Sequence, residues 1–224
     1  ADELMGLFDH VTPAPWEVAR EVIREDLGAY PEELFASIDP EPVGSGAVAQ
    51  TYRARLRDGD EVAVKVQRPG VRELIERDLG RIRLLTRLLD MAGISLVVSP
   101  RALAEELRDW MLAEIDFRHS LANVTVLHRE AADSAIERIP RPYPELSSSR
   151  VETTEYMQGV PLSALLQFQR TGTAGVWTAA AAEIDREEVA ANLLTATLRQ
   201  IFRYRFFHAD LHPGNLFVVE DAAI

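Results

Sequence analysis

A short polar loop set between two apolar runs constrains the fold of this chain more than any other stretch. Residues 206–207 are both phenylalanine, residues 208–215 read His-Ala-Asp-Leu-His-Pro-Gly-Asn, and residues 216–219 are Leu-Phe-Val-Val. Because proline and glycine disfavour a helix, this pattern predicts a loop at the edge of a buried segment. Asp210 and Asn215 lie five positions apart on that loop.

A carboxylate and an amide at this spacing are typical of the catalytic loop of phosphotransferases. In such loops the Asp accepts or orients the substrate hydroxyl, and the Asn holds a magnesium ion. The pattern therefore predicts Asp210 as a catalytic residue and Asn215 as a Mg²⁺ ligand. The alternative for Asp210 is a turn-forming aspartate, but the position of Asn215 and the flanking apolar runs favour the catalytic role.

The same loop also permits a metal hydrolase site, because His208, Asp210 and His212 alternate along it. A catalytic zinc site needs further ligands. None of the remaining histidines sits in a matching cluster. A structural role for the two loop histidines is therefore favoured, with each imidazole hydrogen-bonded to loop backbone.

A glycine turn and a strand lysine predict a nucleotide site upstream. The turn consists of Gly44, Ser45, Gly46 and Ala47. Glycine lets a backbone turn approach phosphate oxygens, and its N–H groups can donate to them. Lys65 ends the apolar run 62–64, after an Asp58-Gly59 hairpin signal, and kinases place a lysine there to hold the α- and β-phosphates. The alternatives are a simple hairpin turn and a strand-end lysine that reaches water.

Two further motifs have a structural interpretation beside the functional one. Glu155 to Met157 ends a predicted strand, and its backbone fits a hinge that pairs with adenine as well as it fits an ordinary strand end. Glu114 and Asp116 form an acidic pair on a predicted helix. Taken alone, that pair is best interpreted as a solvated face, since the net charge of the chain is -12.

Composition limits the classes of function. A net charge of -12 argues against non-specific nucleic-acid binding, which needs a basic surface. There is no cysteine, so disulfides, thiol nucleophiles and Cys-ligated zinc are excluded. No run of about 18 apolar residues and no signal-peptide pattern occur, so we expect no transmembrane segment and a cytoplasmic location.

Apolar spacing predicts a β-rich first part interrupted by helices and a mostly helical second part. Helices are expected over 16–27, 71–91, 100–131 with a break near Asp116, and 179–204. The buried stripe of the last helix is predicted to be Leu193, Leu194, Leu198, Ile201 and Phe202.

Together these motifs resemble the UbiB family of atypical protein-kinase-like proteins, which includes the mitochondrial ADCK-type proteins. The resemblance rests on Ala-Gln-Thr-Tyr-Arg-Ala at 49–54, Val-Ala-Val-Lys-Val-Gln-Arg-Pro-Gly at 62–70, Glu-Ile-Asp-Phe at 114–117 with Asn123, and the loop 207–215. Small-molecule phosphotransferases of the aminoglycoside and choline kinase type share a similar loop. They lack the Ala-Gln-x-x-Arg-Ala element and the Glu-x-Asp helix.

The resemblance implies an α+β, protein-kinase-like fold with two lobes and ATP with Mg²⁺ between them. The N-lobe would cover 1–157 and carry extra helices, and the mostly helical C-lobe would cover 158–224. The implied activity is that of an atypical kinase or ATPase supporting isoprenoid quinone or lipid metabolism at a membrane surface. Implied partners are ATP, membrane lipid or quinone precursors, and quinone-biosynthesis proteins, with a peripheral membrane location.

By motif match, Lys65 contacts phosphates, Asp210 is the catalytic Asp and Asn215 binds Mg²⁺. The nucleotide-binding set implied with them is Gly44, Ser45, Gly46, Ala47, Glu155 and Met157. Glu114 and Asp116 match the family's Glu-x-Asp pair, which engages an N-terminal Lys-x-Gly-Gln motif over the active site.

The sequence departs from the family pattern in ways that bear on activity. The Lys-x-Gly-Gln and Asp-Phe-Gly motifs are absent from these 224 residues, and a glycine turn replaces the alanine-rich nucleotide loop. Ser120 occupies the position of the helix glutamate that pairs with the lysine, leaving Glu73, Glu76 or Glu114 as substitutes. We therefore expect weak or no catalysis from this chain itself, with a pseudokinase or a small-molecule phosphotransferase as alternatives.

Overall fold

The computed structural model describes residues 12–91 and 99–219, with backbone only for residues 89 and 90. The helices are α1 (Trp16–Leu27), α2 (Pro31–Leu34), α3 (Val71–Met91), α4 (Pro100–Glu114), α5 (Phe117–Glu130), α6 (Leu162–Thr171), α7 (Thr178–Glu183) and α8 (Arg186–Arg199). The strands are β1 (Ser37–Ile38), β2 (Gly44–Ser45), β3 (Ala49–Arg55), β4 (Glu61–Gln67), β5 (Val151–Glu155), β6 (Val160–Pro161) and β7 (Phe217–Val218). A π-helical turn, Gln200–Tyr204, continues α8, and a 3₁₀ turn, Pro213–Asn215, precedes β7.

Several helix ends are set by local chemistry. Helix α1 stops at Gly28, whose φ of 79° is a left-handed conformation that glycine adopts without strain. Helix α4 begins at Pro100 with Ser99 as its cap, because the Ser99 hydroxyl accepts a hydrogen bond from the Ala102 N–H. The predicted break near Asp116 is confirmed, since α4 ends at Glu114 and α5 begins at Phe117.

In the described part of the chain, β4, the strand that carries Lys65, belongs to a five-stranded sheet. Its order is β1-β3-β4-β5, with β2 also paired to β3. Strands β3 and β4 form an antiparallel hairpin around Gly59, and Thr51 lies opposite Lys65. The Asp-Gly hairpin prediction is therefore confirmed.

One face of this sheet packs against α1. Tyr52 on β3 is fully buried, and its ring lies 5.0 Å from that of Trp16 in an edge-to-face contact. Its neighbours in the core include Ile23, Phe35, Val62, Val64 and Val151. The Gln50 amide donates to the Tyr52 hydroxyl at 3.0 Å, so the polar tip of the ring is satisfied.

An ion pair links α1 to the residues that lead into β5. The Asp26 carboxylate accepts hydrogen bonds from the Ser148 hydroxyl at 2.6 Å and from Arg150 Nε at 2.8 Å. Burial alone would raise the pKa of Asp26, but the bonds from Arg150 and Ser148 outweigh it and lower the pKa below its usual value. The ionised carboxylate is therefore bound more favourably in the folded chain than in the unfolded chain.

This pKa shift predicts an acid-dependent loss of stability. Because the folded-state pKa of Asp26 is lowered, its stabilising contribution is present above the unfolded pKa of about 3.9 and is lost as pH falls through the folded pKa. Asp26→Asn should lower the melting temperature at pH 7 and flatten its decline between pH 5 and pH 3. Melting temperatures of both proteins across that range provide the check. Parallel pH curves for the two proteins would contradict the prediction.

The chain divides into two compact units, which we describe separately. The first contains the described residues up to Ala122 together with Tyr143–Thr154, and the second contains Asn123–Pro142 and the described residues from Glu155 onward. The second unit has its own core, formed mainly by Val160, Leu162, Leu165, Ala181, Val189 and Val218. The lobe division expected from the sequence, 1–157 and 158–224, stays a prediction.

The buried stripe predicted for the last helix is wrong. Leu194, Leu198, Ile201 and Phe202 are exposed, Phe202 by 76%, and only Leu193 packs against the core. Helical spacing identifies an apolar face, but it does not say whether another element covers that face. Within the described ranges, no helix combines the length and apolar content that crossing a bilayer requires.

Candidate active site

Lys65 on β4 is held by a buried carboxylate from the neighbouring strand. Its Nζ lies 3.8 Å from Oε2 of Glu152 on β5. It also lies 4.8 Å from the centroid of the Phe117 ring, at the start of α5, which suits a cation–π contact. The Lys65 side chain remains 45% exposed, whereas that of Glu152 is 8% exposed. The ammonium group is thus oriented by the protein and still open to a ligand.

Ser120 on α5 fixes the Glu152 carboxylate. Its hydroxyl donates to Oε1 of Glu152 at 2.7 Å, on the side away from the lysine contact atom Oε2. The acids expected to substitute for the missing helix acid were Glu73, Glu76 or Glu114, but the acid beside Lys65 is Glu152. The sequence offers only a general indication, because Glu152 lies between Val151 and Thr153 in a predicted strand, where a buried charge needs a partner. The pattern does not identify Lys65 as that partner.

The lysine content of the sequence is a second signal that singles out position 65. Of the 24 lysine and arginine residues, Lys65 is the only lysine. Every other cationic position uses arginine, whose guanidinium is larger and planar. Position 65 is therefore the one place where this chain carries a compact ammonium group.

Hydrogen bonds fix the start of α5 against the sheet. The Gln67 amide donates to the Ile115 carbonyl at 2.6 Å, and the Phe117 N–H donates to the Ser149 carbonyl at 3.0 Å. Asp116 caps this helix by accepting from the Arg118 N–H at 3.1 Å. Its bonds to the Arg118 side chain lower the pKa of Asp116 below the usual range.

Within the predicted Glu-x-Asp pair the two acids therefore differ. Asp116 is an ionised helix cap with a covered side chain, whereas Glu114 is exposed at the end of α4. Their engagement of a Lys-x-Gly-Gln segment stays a prediction.

The glycine turn lies at the end of the β2–β3 hairpin and is braced by Arg68. Arg68 Nε donates to the Gly46 carbonyl at 2.9 Å, and its Nη2 donates to the Ser45 hydroxyl at 2.7 Å. Neither glycine of the turn has a left-handed φ, and a Cβ added at Gly46 would meet nothing closer than 3.7 Å. The fold itself therefore does not demand glycine here, which is compatible with a need for close approach by a ligand.

The predicted hinge residues belong to the second unit or its edge. Strand β5 ends at Glu155, whose backbone N–H donates to the Arg141 carbonyl at 2.8 Å. Its carboxylate contacts Arg138 at 3.3 Å. Any adenine contact at this residue would therefore fall to its carbonyl, while Met157 lies in the loop that follows.

Asp210 and Asn215 are brought together on the loop of the second unit. Asn215 Nδ2 donates to Oδ2 of Asp210 at 2.8 Å, and the His212 N–H donates to Oδ1 at 3.2 Å. The Gly214 N–H donates to Nδ1 of His212 at 3.2 Å, so this imidazole has the structural role that the sequence favoured. Both Asp210 and Asn215 are exposed.

The ends of this loop are anchored. On the upstream side, the His208 N–H donates to the Gln200 amide oxygen at 2.9 Å, and the Gln200 amide nitrogen donates to buried Glu137. On the downstream side, β7 pairs with β6, with Val160 opposite Val218. No sequence pattern identifies Glu137 and Gln200, because they are 63 positions apart and meet only in the folded chain.

The oxygen donors of the loop fit Mg²⁺ better than they fit a hydrolytic zinc. Magnesium prefers carboxylate and amide oxygens. The bond to Asp210 uses the amide nitrogen of Asn215 and leaves its oxygen as a ligand atom. Across 12–91 and 99–219, no three His, Asp or Glu side chains converge as a metal cluster.

Comparisons with known proteins identify the family of the chain. The ABC1 atypical kinase-like domain matches residues 6–224. The chain is 36% identical to a probable protein kinase UbiB of Pseudomonas putida over 97% of its own length and 38% of that protein. It is 35% identical to the corresponding protein of Pseudomonas entomophila, over 97% of the chain and 39% of that protein.

A solved structure matches as well. The Mycobacterium tuberculosis protein Rv3197, determined in complex with erythromycin, superposes with a TM-score of 0.76 at 27% identity, over 95% of this chain and 50% of that one. The chain thus spans about half or less of the length of these relatives. Its α+β fold is kinase-like, and the chain belongs to the ABC1 atypical kinase-like family, with curated relatives of the UbiB type.

Proposed function

We propose that this chain binds ATP with Mg²⁺ and serves an atypical kinase or ATPase of the UbiB type. The observation that carries the proposal is the loop geometry, in which Asp210 and Asn215 are joined by a 2.8 Å hydrogen bond and both remain exposed. Phosphoryl transfer depends mainly on positioning and charge neutralisation, so an oriented carboxylate beside an amide ligand suits it.

Each predicted residue has a distinct role in this proposal. Lys65 binds phosphate oxygens, and the glycine turn around Gly46 supplies backbone N–H donors to them. Asn215 binds Mg²⁺, which neutralises phosphate charge when bound, and Asp210 orients the attacking hydroxyl or water. The Glu155 carbonyl and the Met157 backbone contact adenine.

The UbiB-type names of the Pseudomonas relatives guide the proposed cellular role. They suggest that the intact protein supports isoprenoid quinone or lipid metabolism. We propose membrane lipid or quinone precursors as its surroundings and quinone-biosynthesis proteins as its partners, with a peripheral membrane location.

The pseudokinase alternative rested on Ser120, because that position lacks the expected acid. Glu152 supplies a carboxylate to Lys65 from β5, so the absence of an acid on the helix no longer favours a nucleotide-binding pseudokinase with little turnover. The alternative of a small-molecule phosphotransferase, which rests on the loop, would be favoured if an amino-alcohol or sugar acceptor raised the turnover of ATP.

Metal dependence is the first test of the proposal. ATP with Mg²⁺ should raise the melting temperature of the chain, because a ligand that binds only the folded state stabilises it by mass action. ATP with EDTA should raise it much less, and Zn²⁺ should not substitute for Mg²⁺. In Asn215→Ala the effect of ATP should become nearly independent of Mg²⁺.

The control is the same thermal series with AMP, which lacks the β- and γ-phosphates that Lys65 and Mg²⁺ would engage. Equal stabilisation by ATP and AMP, or by ATP with and without Mg²⁺, would contradict the proposal.

A further inference from the structure

The environment of Lys65 is built from separate elements that are all part of the first unit. Glu152 comes from β5, Ser120 and Phe117 come from α5, and Lys65 comes from β4. These residues are separated by up to 87 positions, from 65 to 152, yet their side chains meet at one point. Such convergence on the only lysine of the chain calls for an explanation beyond ordinary packing.

The Glu152 carboxylate is buried at a cost that its partners must offset. A carboxylate removed from water is unfavourable unless it is hydrogen-bonded and paired with a charge. Glu152 has one oxygen bonded to Ser120 at 2.7 Å and the other 3.8 Å from the Lys65 ammonium. An apolar residue would fill this strand position without that cost, as Val151 does beside it.

The length of the Lys65–Glu152 contact is itself informative. At 3.8 Å the two groups attract each other, but they are beyond hydrogen-bonding distance. The ammonium group is therefore drawn toward Glu152 and the Phe117 ring while its N–H donors are not consumed by the carboxylate. That arrangement suits a lysine that must be held in place and then donate to an incoming anion.

We propose that Glu152 is the positioning acid for Lys65, acting from the strand in place of a helix acid, and that Ser120 fixes its rotamer. This inference rests on the proposed function, because the ligand that Lys65 awaits is the phosphate chain of ATP. Glu152 touches neither phosphate nor metal. It acts by reducing the conformational freedom of the lysine side chain before the nucleotide binds.

The same geometry predicts that the carboxylate beside Lys65 can be supplied from position 120 instead of position 152. The Ser120 oxygen lies 2.7 Å from the Glu152 carboxylate, so a longer acidic side chain from position 120 reaches the same region. Combining Ser120→Glu with Glu152→Gln keeps one carboxylate and one polar partner and exchanges their places. A role of Glu152 that is only structural would not be restored by this exchange.

The experiment uses calorimetric titration of ATP with Mg²⁺ into the chain. Glu152→Gln should weaken binding by about 3- to 10-fold, and the exchanged double variant should recover most of that loss. In a Lys65→Ala background, Glu152→Gln should have no further effect, since it acts through the lysine. Glu61→Gln is the matched control, because Glu61 lies on the same strand as Lys65 but pairs with Arg53 and Arg55. The affinity of this variant for ATP with Mg²⁺ should equal that of the wild type.

A nucleotide-free readout separates this inference from the proposed function. Lysine labelled with ¹³C gives signals from Lys65 alone, because the chain has no other lysine. The order parameter of its Cε should fall in Glu152→Gln and recover in the exchanged variant. Unchanged order in Glu152→Gln, or no recovery of order on exchange in a variant with a wild-type melting temperature, would overturn the inference. If order follows the acid but no variant binds ATP, the proposed function fails while the positioning role stands.

Discussion

Replacing Lys65 with alanine should lower the affinity of the chain for ATP with Mg²⁺ by about 10- to 100-fold. A hydrogen bond to a charged group contributes about 1.5–3 kcal/mol, and each 1.4 kcal/mol corresponds to a factor of ten. The local ammonium matters more here than in a basic protein, because a chain of net charge -12 offers no general attraction for a polyanion. Isothermal titration calorimetry measures the change directly.

Two control variants make the Lys65 result specific. Arg81→Ala removes the same unit of charge from an exposed position on α3, where Arg81 pairs only with nearby Asp78 in the described contacts, and should leave affinity unchanged. Lys65→Arg keeps the charge but replaces a compact ammonium with a planar fork, so it should recover only part of the affinity. An affinity for Lys65→Ala within twofold of the wild type would contradict the assignment of this lysine.

Gly159→Ala should destabilise the second unit strongly. A Cβ at this position would lie 2.6 Å from the Val218 carbonyl oxygen and 3.1 Å from its carbonyl carbon. Because the obstructing atoms are backbone of β7, they cannot move aside without disturbing the β6–β7 pair. Overpacking costs about 1–3 kcal/mol even where side chains can adjust, so we expect a loss at the upper end of that range or beyond it.

The Gly159 variant also tests how the catalytic loop is held. Strand β7 directly follows the loop, so loss of its pairing should reduce Mg²⁺-dependent ATP binding together with the melting temperature. Gly80→Ala is the matched control, because Gly80 lies in α3 and a Cβ added there would meet no atom within 4 Å. Alanine at this position should stabilise the helix by about 0.5–1 kcal/mol. A melting temperature for Gly159→Ala equal to that of the wild type would show that the close contact with Val218 is not formed.

Local chemistry made much of the fold predictable from the sequence. Gly28 ends α1, Ser99 with Pro100 begins α4, and the Asp58-Gly59 pair turns the β3–β4 hairpin, all as the residue types indicate. The bond between Asp210 and Asn215 is also local, since the loop that joins them is short. In each of these features the residues that decide the structure are close together in the chain.

Features that depend on distant residues were not predictable in this way. The Lys65–Glu152 contact requires β5 to lie beside β4, and the support from Ser120 requires α5 to be fixed against the same strands. Likewise, the bond between Glu137 and Gln200 joins parts of the chain that no local pattern relates. The prediction of a buried stripe on the last helix was wrong for the same reason, because periodicity does not reveal whether another element covers an apolar stripe.

The most direct test of the central claim is a calorimetric titration of ATP into the wild-type chain with and without Mg²⁺. We expect one nucleotide to bind per chain, with an affinity weakened about tenfold or more when EDTA removes the metal, because both Lys65 and the metal neutralise the phosphates. An absence of binding at millimolar ATP, or an affinity that does not depend on Mg²⁺, would contradict it.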